Sequence, residues 1–197
     1  MSRTDKLSVQ KLRSSSVAKT IPILALVALM WIEEVVDALP NLNLDQYGIR
    51  PRQVEGLVGI PLAPFLHGGF GHLTTNTVPL IFLGVLLALT TKRFWAVTLG
   101  VVLLGGLGTW LVAGSNTVHF GASGVVYGYA AFLVAWGVLS RKLLSVLVGA
   151  VVVLLYGSIV FGVLPGQPGV SWEGHLFGAV AGVLLAFLLR PRDTTAS

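Results

Sequence analysis

GASGVVYGYAAFLVAWGVLS, residues 121–140, runs for twenty residues without a charge, and its hydroxyl groups are confined to Ser123, Tyr127, Tyr129 and Ser140. A helix of that length rises about 30 Å, the thickness of a bilayer's hydrocarbon core. The stretch therefore reads as a membrane span that opens on a serine. Five further apolar stretches of similar length flank it, at about 21–39, 72–91, 95–113, 143–163 and 174–190. The mean hydropathy is +0.84 and 11% of residues are charged, against roughly 25% in an ordinary soluble domain. None of the six stretches alternates in polarity as a barrel strand does. Backbone groups in lipid must then be satisfied within helices. The expected fold class is an all-α, polytopic membrane protein, a six-transmembrane-helix bundle.

Charge placement gives the orientation. With the N-terminus in the cytoplasm, Arg3, Lys6, Lys11, Arg13, Lys19, Lys92, Arg93, Arg141, Lys142, Arg190 and Arg192 all fall inside, and only Arg50 and Arg52 fall outside. Eleven of thirteen basic residues thus obey the positive-inside rule, whereas a miscounted span would invert every later loop. Topology accounts for the net charge of +5. No basic groove with interleaved aromatics calls for nucleic acid. The absence of cysteine excludes disulfides, thiolate catalysis and Cys-based metal sites, leaving hydroxyl, imidazole, amide and carboxylate groups for any chemistry.

Residues 1–20 are polar, basic and serine-rich, and are expected to form a disordered cytoplasmic tail before a membrane domain spanning 21–190; residues 191–197 read as a second cytoplasmic tail. The first apolar run is followed by Leu39-Pro40-Asn41-Leu42, not by a small-residue cleavage site, so it reads as an uncleaved anchor. Between the first two spans, Gly56-Leu57-Val58-Gly59-Ile60-Pro61-Leu62-Ala63-Pro64-Phe65-Leu66 is apolar yet broken by glycine and proline. Irregular backbone of that kind is allowed at membrane depth only where protein buries it. Glu33, Glu34 and Asp37, at the outer end of the first span, read as solvated at the interface. The absence of an internal repeat argues against an inverted-repeat transporter.

In this topology the second, fourth and sixth spans all start on the outer side, so their N-terminal ends share one level. Those ends carry His72 and Asn76, then Gly121-Ala122-Ser123-Gly124, then Gly174-His175. A serine in the first turn of a helix has unpaired backbone N–H groups beside it, ready for an oxyanion. Its hydroxyl needs a base within hydrogen-bond reach, and His175 is the candidate. The bland alternative is a serine acting as N-cap. Gly124 and Gly128, facing Gly174, Gly178 and Gly182, would let the two backbones approach closely. Tyr127, one turn below Ser123, is placed to pack on the imidazole. Glu173 precedes the helix and reads as solvated, which favours a Ser-His dyad over a triad. His72 and Asn76, an i, i+4 pair, are candidate oxyanion donors or, alternatively, a helix-packing hydrogen bond. His67 and His119 read as loop hydrogen-bonding residues. Four histidines on one face raise zinc as an alternative, but no His-Glu-x-x-His pair is present and no carboxylate stands at ligand spacing beside His72 or His175.

Taken together, His67-(x4)-His72-(x3)-Asn76, Gly121-Ala122-Ser123-Gly124 with Tyr127, and His175-Leu176-Phe177-Gly178-(x3)-Gly182 resemble the rhomboid family of intramembrane serine proteases, over about residues 20–190. The resemblance implies a rhomboid-like serine endopeptidase in the cell membrane, multi-pass, with both termini cytoplasmic and the active site opening to the extracytoplasmic side. It further implies Ser123 as nucleophile, His175 as base and then acid, His72, Asn76 and the Ser123 amide as oxyanion hole, and Gly121, Tyr127 and Gly178 in support. The implied partners are the lipid bilayer and single-span membrane protein substrates, with no cofactor, metal or nucleic acid. Gly48-Ile49-Arg50-Pro51-Arg52 stands where many members have a Trp-Arg pair, and Phe120 replaces a glycine. Competing classes are a catalytically dead relative, which usually lacks the serine or histidine, and a transporter, which should show polar residues through the full depth.

Overall fold

The computed structural model describes the backbone of residues 3–190 and the side chains of residues 17–190. The expected C-terminal tail, 191–197, lies outside the described residues. Seven helices follow in order: α1 (Arg3–Asp37), α2 (Gly59–Leu62), α3 (Phe70–Thr90), α4 (Phe94–Val112), α5 (Ser123–Ser140), α6 (Leu143–Tyr156) and α7 (Trp172–Leu188). Among the described residues there is no strand, only an isolated antiparallel bridge between Ile49 and His119. The ends of α3, α4, α5 and α7 fall within about two residues of the apolar runs in the sequence. They are set by the same signals: Lys92 and Arg93 separate α3 from α4, and Arg141, in the left-handed region at φ 52°, ends α5.

Among the described residues, four segments are long and apolar enough to cross a membrane: Phe70–Thr90, Phe94–Val112, Ser123–Ser140 and Leu143–Val163. The helix α7 is apolar but shorter, and α1 carries Lys19, Glu33, Glu34 and Asp37. Three details differ from the sequence reading. First, α1 is helical from Arg3, where a disordered tail to residue 20 was expected. Once nucleated by its apolar run, a helix propagates into polar sequence at little cost per residue. Second, the fifth apolar run is not one regular helix, because Gly157–Val163 tightens into a 3-10 segment. Third, Glu34 is buried, with its Oε2 unpartnered, instead of facing solvent: the chain after α1 folds back over that end, with Asp37 accepting a hydrogen bond from Leu44 N.

The centre of the fold is α5, which packs against α3, α4, α6 and α7, while α1 lies on α3. Its buried residues Val126, Tyr129, Phe132 and Leu133 join Leu73 and Leu83 of α3, Val97 and Val101 of α4, and Leu185 of α7 in one core. Tyr129 Oη lies 2.7 Å from Thr98 Oγ1, which itself donates to the Phe94 carbonyl, so the phenol donates and every polar group of that link is satisfied. The outer faces are as apolar as the interior: Leu154, Leu143 and Val138 are 82%, 75% and 74% exposed. Such a surface is stable only against lipid or another protein.

The closest approach is between α5 and α7. A Cβ on Gly178 would strike the Gly124 carbonyl, and one on Gly182 would strike the Gly128 carbonyl. The glycine stripes therefore meet backbone to backbone, as their spacing predicts. The loop before α3 is held on the far end of α4: Trp110 Nε1 donates to the Gln53 carbonyl at 2.8 Å, and Arg52 Nη1 donates to the Leu111 carbonyl at 2.9 Å. This loop is anchored by an arginine of its own and a tryptophan contributed by a helix. Ile49, Ile60, Ala63 and Leu66 are buried, as irregular apolar backbone requires.

Overpacking the α5–α7 contact should cost on the order of 1–3 kcal/mol. Gly178→Ala is expected to lower the thermal unfolding midpoint in detergent clearly, while Gly157→Ala, whose Cβ would meet nothing within 4 Å, should leave it within experimental error.

Candidate active site

Ser123 is the first residue of α5, and the cap position belongs to Ala122, whose methyl group cannot accept a hydrogen bond. The serine is thus not an N-cap. Its hydroxyl is turned instead to α7, where His175 Nε2 lies 2.8 Å from Ser123 Oγ. The other ring nitrogen, Nδ1, lies 2.9 Å from the Gly162 carbonyl, an acceptor only, so Nδ1 carries the hydrogen and Nε2 is left to accept from the serine. The place that a carboxylate fills in a triad is filled here by a peptide carbonyl.

That carbonyl belongs to the 3-10 segment Gly157–Val163, which sequence reasoning missed. Tyr127 stacks on the imidazole with ring centroids 4.1 Å apart and planes 7° from parallel, and its Oη donates to the Ile159 carbonyl at 2.7 Å. One short segment therefore orients both rings. Gly162 is required there, because a Cβ would collide with Tyr127 Oη and lie 3.2 Å from His175 Nδ1. The signal available in the sequence was only a lone glycine in an apolar run. Glu173, expected before the helix, lies in the first turn of α7.

His72 and Asn76 reach the same cleft from α3. The cleft has a volume of about 720 Å³ and is lined by His72, Asn76, Phe120, Ser123 and His175 among others. Gly68 N donates to His72 Nδ1 at 3.4 Å, which puts the ring hydrogen on Nε2, and Nε2 lies 2.9 Å from where a Cβ of Gly121 would stand. Asn76 is buried, and its Nδ2 donates to the His72 carbonyl at 3.1 Å with one of its two hydrogens. The second remains for the cleft. Gly121 has φ +108°, a conformation a side chain would strain, and its bare Cα is what lets His72 close on the start of α5. The Ser123 amide has no backbone hydrogen-bond partner among the described residues.

The two remaining histidines are structural posts. His67 is fully buried; its Nδ1 donates to the Phe65 carbonyl at 3.1 Å and its Nε2 accepts from Ala122 N at 3.3 Å, tying the loop before α3 to the residue preceding the serine. Burial pushes its pKa down to about 4, and the neutral form is the one the two bonds need. His119 Nδ1 lies 2.6 Å from Ser171 Oγ and its Nε2 lies 2.7 Å from Thr117 Oγ1. Burial lowers its pKa as well, against an opposing pull from Glu173. Among the described residues no three His, Asp or Glu side chains are grouped to hold a metal ion.

The model of the Rhomboid domain matches residues 55–192 of the chain. An uncharacterized protein of Mycobacterium tuberculosis is 47% identical over 183 residues, covering 88% of this chain and 76% of the relative. A candidate rhomboid protease of Bacillus subtilis is 29% identical over 127 residues, 62% of each chain, and RHOMBOID-like protein 4 of Arabidopsis thaliana is 28% identical over 134 residues, 64% of this chain and 32% of the relative. No solved structure gives a significant match.

His67 yields a pH prediction with a definite sign. Its folded pKa, about 4, is below the ordinary 6.5, so its contribution is complete above pH 6.5 and is lost as pH falls toward 4, where the unfolded chain takes up a proton that the folded one refuses. In detergent, the unfolding midpoint of the wild type should fall more steeply between those pH values than that of His67→Asn.

Proposed function

The chain belongs to the rhomboid family, whose members are generally intramembrane serine proteases, and on that premise we propose that it hydrolyses peptide bonds in or near transmembrane segments of other membrane proteins with a Ser123–His175 dyad. The observation that carries this reading is the 2.8 Å hydrogen bond between Ser123 and an imidazole whose other nitrogen is already committed to a carbonyl. Ser123 Oγ attacks the scissile carbonyl while His175 Nε2 takes the hydroxyl proton, and the imidazolium returns it to the leaving amine. Water then repeats the sequence on the acyl-enzyme and frees the serine. Nδ1–H stays on the Gly162 carbonyl throughout. The negative charge on the tetrahedral oxygen is met by His72 Nε2–H, the free Asn76 Nδ2–H and the Ser123 amide, aimed before the reaction begins.

The six-span topology belongs to the same proposal, with α1 and α7 joining the four longer spans, both termini cytoplasmic and the cleft opening to the outer side. Its support is the distribution of basic residues and the common level of the starts of α3, α5 and α7. The substrates are single-span proteins whose cleaved segment can unwind into the cleft. The loop Pro165–Val170 together with α6 acts as the movable wall through which they enter, as lids do elsewhere.

The test is cleavage of a fluorescently labelled single-span reporter by the purified protein in liposomes. Ser123→Ala and His175→Ala should abolish product, and product from Ser123→Ala at the wild-type rate would refute the mechanism. Asn76→Ala should lower kcat by about 10²–10³-fold, the usual loss for one oxyanion donor. Because the chain lacks cysteine, single-cysteine variants report topology cleanly: Gln167→Cys in intact cells should react with an impermeant maleimide and Lys142→Cys should not.

A further inference from the structure

We propose that His119 and Ser171 act as a coupled pair of positioning residues, holding the start of α7, and with it His175, in register with the start of α5. This rests on the Ser123–His175 reading above and goes beyond it, since neither residue touches the reacting atoms.

Ser171 is the N-cap of α7: its Oγ accepts from Gly174 N at 3.2 Å and its carbonyl accepts from His175 N at 3.1 Å. The two bonds fix the turn that bears the base. No other helix from α2 to α6 begins with a side-chain cap. The cap is thus made at the one helix start where a small rotation would carry an imidazole away from a serine. The cap hydroxyl is itself tied across the fold, because His119 Nδ1 stands 2.6 Å away.

Donor and acceptor roles along this chain are fully determined. Thr117 Oγ1 donates to the Gly114 carbonyl, so it accepts from His119 Nε2–H; Nδ1 is then an acceptor and takes the Ser171 hydroxyl hydrogen, whose oxygen takes Gly174 N–H. Each polar hydrogen along the relay has one acceptor, and none is left over. His119 is a fixed post for this purpose: it is 8% exposed, and its backbone exchanges two hydrogen bonds with Ile49, at 2.9 and 3.0 Å. Four residues later the same strand of chain delivers Ser123. The backbone that carries the nucleophile and the cap that carries the base are therefore joined by one imidazole. Misplacement of a catalytic group by about 1 Å can lower a rate about 100-fold.

The experiment compares full-length wild type, Ser171→Ala, Ser171→Thr, His119→Phe and the double variant Ser171→Ala/His119→Phe. Reporter cleavage, fluorophosphonate labelling of Ser123 and hydrogen exchange of the peptide covering residues 172–176 are measured on each. Ser171→Ala and His119→Phe should each lower kcat and the labelling rate by about tenfold with KM within about twofold, and the double variant should lose no more than the worse single one, since the two act as a unit. Ser171→Thr, which keeps the hydroxyl, should restore most of the rate. Exchange at 172–176 should speed up in both single variants. Additive losses, a change confined to KM, or faster exchange in Ser171→Ala but not in His119→Phe would overturn the coupling. A wild type that neither cleaves nor labels would instead sink the dyad reading, and the exchange data would still decide whether His119 holds the cap.

Discussion

Backbone contact between α5 and α7 is the constraint on which the rest of the molecule depends. Gly178 and Gly182 lie directly against the carbonyls of Gly124 and Gly128, leaving no room for a Cβ. In lipid there is no hydrophobic gain from bringing two apolar helices together, so association relies on close packing, and glycine pairs supply the closest packing available. The same contact sets the distance between two side chains near the N-terminal ends of both helices. Ser123 precedes Gly124 and His175 lies one turn from Gly178, so helices held this close bring hydroxyl and imidazole within hydrogen-bond reach. The packing of α7 on α5 thus also brings the site together.

Around that contact, the irregular parts of the chain carry out the fine adjustment. A helix start fixes where a Cα sits, but not which nitrogen of an imidazole bears hydrogen or how its ring is turned. Those choices are made by three carbonyls and a cap: Gly162 for the tautomer of His175, Ile159 for the hydroxyl of Tyr127, Phe65 for His67, and Ser171 for the first turn of α7. Peptide carbonyls and a serine hydroxyl accept hydrogen bonds without bringing charge into a low-dielectric region, where an unpaired carboxylate is expensive. A serine–histidine pair oriented by backbone carbonyls needs no buried carboxylate beside it.

The acidic end of α1 follows a different logic. Glu34 is buried with one oxygen unpartnered, both oxygens of Glu33 lack partners, and Asp45 approaches from the following 3-10 turn with its pKa raised, chiefly by burial and then by Asp37. The sequence places these groups at an interface, where solvation is the natural expectation. The fold instead turns the next segment back over them. Nothing local to residues 33–37 could have announced that, because the covering residues come from a loop whose path is set by Arg52 and Trp110 on α4.

What the sequence determined by itself was everything governed by one-dimensional physics: the apolar runs, the charges that bound them, the glycine steps, and the coincidence of His72, Asn76, Ser123 and His175 at the starts of alternate helices. Each depends on a length or a period that can be counted along the chain. Only the tertiary structure decided the partners that come from remote backbone. Gly162 reads as an ordinary glycine until the 3-10 segment lays its carbonyl on His175, and Ser171 and His119, 52 residues apart, show no relation until two loops meet. The physical reason is that a carbonyl has no sequence signature of its own, since every residue carries the same backbone, and a serine suited to a helix start gives no sign along the chain of which remote ring will take its hydroxyl hydrogen.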